Sequence, residues 1–222
     1  MKIKHFLLTS FIILIASNIS VSQILTTQVT DNQSWNDVQI AVPITSKLNG
    51  IFSGTLRIGR NFRRPVDERI GFQISYKANK YFTLASGIVY RAAQPTATRK
   101  IIETRLIESI TANLPIKKYS LSNRNTYEFH LINSRADVWW YRNKTQIERD
   151  IKIGKTKIKP FAYAEFFYNG TQKRWFRGRF VGGISKKFNK NLTLDIFYMR
   201  QQEGKSNPAR INAIGTTWKI NL

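Results

Sequence analysis

Glu128 and His130 stand two residues apart in "RNTYEFHLI". In a strand that spacing places both side chains on one face, where an imidazole beside a carboxylate could move a proton. Ser134, a little further on, would be the hydroxyl for nucleophilic chemistry. Strand geometry argues against it: Ser134 falls at the strand's end, and no orienting acid beyond Glu128 is evident. The pair therefore reads as a hydrogen-bonded interior histidine, no catalytic residue is assigned, and the chain is not expected to be an enzyme. With two histidines, His5 and His130, and no cysteine, no transition-metal site is expected. No glycine loop of the phosphate-cradling kind occurs, so no cofactor is expected either.

Other charges are placed differently. Glu103, Arg105, Glu128, Arg142, Glu165, Arg179 and Asp195 all fall in the middle of apolar–polar alternating segments. Acids and arginines facing one another across a narrow lumen would pair, each offsetting a desolvation cost that neither could bear alone. Two further stretches, "RNFRRP" and "QKRWFRGR", interleave arginine with aromatics. Arg60, Arg63, Arg64, Arg174 and Arg177 are the candidates there for contact with lipid phosphates, lipopolysaccharide included. The formal charge is +23, of which Lys2 and Lys4 carry two, leaving +21 after residue 22. Such an excess draws anions; for an exported chain nucleic acid is the least accessible of them, and no nucleic-acid partner is expected.

These residues need elements to hold them. Almost every segment after Ser34 alternates with period two, and none reads convincingly with period 3.6. In "RIGFQISYK", Ile70, Phe72, Ile74 and Tyr76 oppose Arg69, Gly71, Gln73, Ser75 and Lys77. The same pattern recurs through 35–44, 51–60, 81–91, 99–111, "NTYEFHLI", 136–147, 158–168, 174–186, "NLTLDIFY" and 210–222. Short turns, "ANK" and "NKN", alternate with longer polar loops such as "AAQPTATRK" and "QEGKSNPAR", as in a meander whose ends face different compartments. No linker divides the chain, which reads as one domain.

The first 22 residues have the layout of a cleaved signal peptide: Lys2 and Lys4, an apolar run from Phe6 to Ala16, then Ser20-Val21-Ser22. The rest, 23–222, is expected to be an all-β, antiparallel up-and-down transmembrane β-barrel. Strands of this length suit a tilted membrane crossing, and Trp139, Tyr141, Phe166, Tyr168, Tyr198 and Trp218 lie toward strand ends, where interfacial girdles place aromatics. The chain closes on "AIGTTWKINL", with Ile214, Thr216, Trp218, Ile220 and Leu222 on the expected lipid face. A closing strand of this kind resembles the C-terminal signal read by barrel-assembly machinery. Eleven strands plus "QILTTQVT" at 23–30, ahead of a "DNQS" turn, give about twelve, an even number as bacterial single-chain barrels require; ten is the alternative if the first two do not span.

Several strings occur in family order: "WNDVQIAV", "ETR", "RNTYEFH", "WWYRNK", "YAEFFYN", "RFVGGIS" and "LDIFYMRQ". From about Trp35 to the end the chain resembles the bacterial group known as domain of unknown function 2490. That group looks like an outer-membrane β-barrel family, and its patterns commonly carry arginine where Thr126 and His130 sit here. The resemblance implies a fold and a compartment, and no activity. The expected role is therefore that of an outer-membrane barrel, structural, transport-related or for surface interaction, with a narrow polar lumen rich in Arg/Glu pairs that would favour anions if it conducts. A soluble secreted or periplasmic β-barrel binding an anionic ligand is the second reading, because period two alone does not say which face is wet.

Overall fold

The computed structural model describes residues 30–133, 135–154, 156–204 and 206–222. Within them the chain forms twelve strands and no helix: β1 (Thr30–Pro43), β2 (Leu48–Gly59), β3 (Arg64–Lys77), β4 (Phe82–Ala93), β5 (Ile101–Ile116), β6 (Tyr119–Ile132), β7 (Val138–Glu148), β8 (Ile151–Ile153), β9 (Thr156–Asn169), β10 (Arg174–Lys187), β11 (Leu192–Glu203) and β12 (Arg210–Asn221). Eleven of these close into a barrel in sequence order. The three-residue β8 stands outside it, paired only with the first residues of β9. Closure removes every free edge in the wall, so each strand's amide and carbonyl groups have a ladder partner.

The turns follow from their side chains. Asn79 Oδ1 accepts from the amides of Tyr81 and Phe82 at 2.8 and 2.9 Å, and Asn189 Oδ1 repeats this with Asn191 and Leu192 at 2.9 Å each. An Asn that satisfies the amides two and three residues on mimics a backbone turn, and it appears in both "ANK" and "NKN". These turns share one rim with the end of β12, the C-terminal rim; β1 begins at the opposite, N-terminal rim.

Several expectations need correction. The barrel is not purely antiparallel: β1 pairs β12 in parallel, from Thr30 with Arg210 to Ala41 with Asn221. Eleven strands of alternating direction bring the first and last to run the same way, and only a parallel ladder can then join them. The even count therefore fails, and so does the ten-strand alternative, because β1 and β2 are full members of the wall. The segment 23–30, like the expected signal peptide, lies outside the described residues except for Thr30. No strand stands between β12 and β1, since both edges of β1 are already occupied. Finally, "DNQS" is no turn but the start of β1.

One parity of the wall faces out and is apolar: Phe52, Ile70, Phe72, Leu84, Ile88, Leu106, Phe129, Phe180, Ile184, Ile196 and Ile214 are all exposed. The other parity faces in and carries the buried charges Asp67, Glu103, Arg105, Glu128, Glu165, Arg179 and Asp195. Near the N-terminal rim the outer face bears linked aromatics: Trp139 lies 6.2 Å from Tyr168, Tyr168 5.4 Å from Trp175, and Tyr141 6.1 Å from Trp175, ring centre to ring centre.

Candidate functional site: a buried ring of charge

The inward parity brings side chains of successive strands into contact through the ladder register. Asp67 on β3 accepts from Arg69 at 2.6 Å and from Arg91 on β4 at 2.6 Å, with Arg57 on β2 at 3.8 Å. Arg91 also reaches Glu103 on β5 at 2.9 Å. Glu103 takes Arg105 from its own strand, and Arg105 lies 3.6 Å from Glu128 on β6. Arg142 on β7 joins Glu128 to Glu165 on β9, and Arg179 on β10 donates to Glu165 at 2.7 Å. Trp35 on β1 completes the circuit: the guanidinium carbons of Arg57 and Arg179 lie 3.5 and 4.9 Å from its ring centre. The contacts thus run in a closed ring around the interior.

His130 sits within the ring with 0% exposure. Its Nδ1 is 3.2 Å from Glu103 and its Nε2 3.0 Å from Glu128, and its ring lies 4.2 Å from that of Trp140, tilted by 45°. His130 thus bridges two carboxylates on neighbouring strands. Asp67, Glu103, Glu128 and Glu165 each contact at least two cationic or imidazole groups, which is the condition for burying a carboxylate without a large net cost. Among the described residues no hydroxyl is bonded to His130, and no group of three or more His, Cys, Asp or Glu is arranged to hold a metal ion. Ser134 lies outside the described residues.

Of the seven charges picked out along the chain, Glu103, Arg105, Glu128, Arg142, Glu165 and Arg179 come together. Asp195 does not: it pairs with Lys219 at 2.5 Å, nearer the C-terminal rim. Missing from that set were Arg57, Asp67, Arg69, Arg91, His130 and Trp35. Asp67 and Arg69 stand two apart like Glu103 and Arg105, so one face of β3 carried a signal of the same kind.

A family model described as "Protein of unknown function (DUF2490)" matches residues 32–212. The chain belongs to this family. No curated protein matches it. In this DUF2490 chain the ring lies wholly inside the matched span, on strands β1 to β10.

The five arginines expected at lipid phosphates divide. Arg63, Arg64 and Arg174 are exposed at the N-terminal rim. Arg60 instead ties two loops, donating to the carbonyls of Gln94 and Thr96 at 3.1 and 2.6 Å. Its loop holds Arg60, Asn61 and Phe62 at φ of 52, 55 and 64°, and Asp31 supports that left-handed run by accepting the amides of Arg60 and Asn61 at 3.0 and 2.7 Å. Arg177 points inward, donating to Glu203 at 2.6 Å beneath Trp140, Phe167 and Phe176. It is not part of the outer surface.

Toward the C-terminal rim the interior opens into a cavity of about 380 Å³ lined by residues including Thr111, Ser122, Arg124, Lys144 and Glu148. Arg124 donates to Thr111 Oγ1 at 3.3 Å, and Lys144 Nζ lies 3.8 Å from the centre of the Tyr163 ring. Among the described residues neither cation is within ion-pair distance of a carboxylate, and Glu148 is already taken by Lys159 at 3.1 Å.

Proposed function

We propose that this chain is an outer-membrane β-barrel closed to through-flow, with a structural or surface-interaction role. The observation that carries the reading is the orientation of the wall: large apolar side chains on the outside and paired charges within, the reverse of a soluble barrel. Hydrocarbon accepts the outer parity, and a wall without edges leaves no backbone polar group unpaired in it. Arg63, Arg64 and Arg174 would meet lipid phosphates, those of lipopolysaccharide included, at the N-terminal rim beside the Trp175 and Tyr168 girdle. Barrel-assembly machinery would insert the chain.

What supports closure is burial: Met199, His130, Glu103 and Glu128 are the largest fully buried side chains. On this reading the paired Arg and Glu side chains fill the lumen as a plug, and a passive pore is disfavoured. The cavity below the ring supports a second reading, capture of a small anion by Arg124 and Lys144 from the C-terminal side.

Membrane fractionation followed by gels of boiled and unboiled samples tests the proposal. The protein is expected in the outer-membrane fraction with a mobility that changes on boiling, and silent in planar bilayers. Recovery from the soluble fraction without detergent would overturn the membrane reading, and steady conductance would overturn the plug.

A further inference from the structure

One polar stripe in the outward wall carries an ionisable group at mid-height. Ser86 on β4, Glu108 on β5, Asn125 on β6 and Asn143 on β7 all point outward near the midpoints of their strands. Ser86 Oγ donates to Glu108 at 2.6 Å. Asn125 Oδ1 accepts from Asn143 at 2.8 Å and from the Tyr141 hydroxyl, while Asn125 Nδ2 donates to Asn123 at 2.8 Å. These bonds leave one oxygen of Glu108 and one amide hydrogen of Asn125 unused among the described residues. If the wall faces hydrocarbon, an ionisable group at mid-height is the costliest residue the surface carries, and such a group is retained where a partner satisfies it. Lipid headgroups lie at the rims and do not reach that height, and acyl chains offer it nothing.

We infer that this stripe is the contact face of a homodimer in the membrane, in which Glu108 of each copy accepts from Asn125 of the other; the inference rests on the membrane reading above. The order of the residues selects a second copy. A two-fold axis along the membrane normal keeps height and reverses left and right, so a stripe running Ser86, Glu108, Asn125, Asn143 meets its own reverse. With the axis between β5 and β6, the acceptor Glu108 faces the donor Asn125 twice over, and Ser86 faces Asn143. Hydrogen bonds from side chains such as Asn help transmembrane helices associate in lipid, and the same physics applies between two barrel walls. A depression of about 420 Å³ beside Glu108 and Ser86, walled by Ile74, Tyr76, Leu84 and Ile110, gives the facing side chains room.

The chain has no cysteine, so single-cysteine variants report cleanly. Purified protein carrying Ile110→Cys, whose partner across the ladder is Asn125, is reconstituted into phosphatidylethanolamine–phosphatidylglycerol vesicles and treated with a short bis-maleimide. A two-chain product is expected, with little from Ile196→Cys on β11, on another part of the wall. Adding Glu108→Leu to Ile110→Cys should lower the yield roughly tenfold at limiting protein density, the loss expected for two interhelical-type hydrogen bonds in lipid; Glu108→Gln, which keeps the shape, should lower it less. A boiling-dependent gel shift verifies that each variant is folded. Equal cross-linking at positions 110 and 196, none at 110, or a yield that Glu108→Leu leaves unchanged overturns the dimer. A heat-modifiable, membrane-embedded barrel that stays single-chain sinks the dimer alone, whereas a protein that stays soluble without detergent sinks the membrane reading beneath it.

Discussion

Replacing Ile70 by arginine separates a lipid-facing wall from a water-facing one. Ile70 lies at the midpoint of β3 with 67% exposure, flanked across the ladder by Gly54 and Tyr90. On a water-facing surface an exposed residue without special contacts changes stability by about 0.5 kcal/mol or less in either direction. On the lipid face of a barrel at the bilayer midplane, arginine costs about 2–4 kcal/mol, falling to about 0–1 kcal/mol near the interfaces. The larger figure is a roughly 30- to 900-fold shift of the folding equilibrium. Ile116, the last residue of β5 and 48% exposed, supplies the comparison, because an arginine there can extend its head group past the rim. Guanidinium unfolding of the purified protein in phospholipid vesicles, followed by tryptophan fluorescence, gives both values. Ile70→Arg should lose at least about 1.5 kcal/mol more than Ile116→Arg. Two losses that agree within about 0.5 kcal/mol would refute the outward-lipid orientation, however apolar the surface looks.

The same unfolding assay reads the ring. Glu165 is held by Arg142 and Arg179 and is almost wholly buried, so Glu165→Ala, which leaves buried Arg179 without a carboxylate and Arg142 with Glu128 alone, should cost about 3–5 kcal/mol. Glu148→Ala breaks a half-exposed pair with Lys159 and should cost no more than about 1 kcal/mol; equal losses would mean that the ring is not a desolvated unit. A Cβ on Gly170 would fall 1.9 Å from the Trp139 ring, so Gly170→Ala must displace that indole. A loss of about 1–3 kcal/mol with an altered emission spectrum is expected, and unchanged emission would show that Trp139 does not pack there. Changing both Arg124 and Lys144 to Gln should weaken inorganic phosphate binding at least tenfold in calorimetric titrations of the detergent-solubilised protein, while binding that survives the double change would place the anion elsewhere.

How much of this was legible in the sequence depended on which face a residue served. Segments such as 69–77 declare themselves because the outward parity is uniformly apolar, so period two survives any variation within. Thr30 to Ser34 defeated the same reading. There Asp31 and Gln33 point in, and Asn32 and Ser34 lie on the other parity, so both faces are polar and the stretch looks like a turn. Gln33 bonds Asp31 at 2.7 Å and Trp35 bonds Gln33 at 2.6 Å, which is why a polar stretch is held as a strand. The parallel seam could not be read either, since it depends on the parity of the strand count and joins residues 180 positions apart. Within the ring, neighbours two apart on one strand were visible. Contacts such as Arg91 with Asp67 and Arg142 with Glu165 exist only once strand register is fixed, and no local pattern encodes that.

The seam and the ring are linked by what lines them. Along β3 to β10 the interior is tied by ion pairs between neighbouring strands. Where the barrel closes, an apolar cluster joins the lining beside the Asp195–Lys219 pair: Trp35, Val181, Met199 and Ala213 are buried together, with Phe161, Tyr163, Phe197 and Ile211 against them. Phe197 lies over Gly215, where a Cβ would come within 2.2 Å of its ring. The division has a physical logic. Ion pairs demand near-correct geometry before they offset their desolvation, and neighbouring hairpins supply that geometry early, from contacts close in sequence. The seam must find its partner from the far end of the chain, at the full entropic cost of closing that loop. Apolar packing is non-directional and tolerates a register not yet settled. Trp35 serves both regimes, packing into the seam cluster while its ring faces receive Arg57 from one end of the ion-pair chain and Arg179 from the other. Closing the seam therefore also completes the ring, and neither is whole in an open sheet.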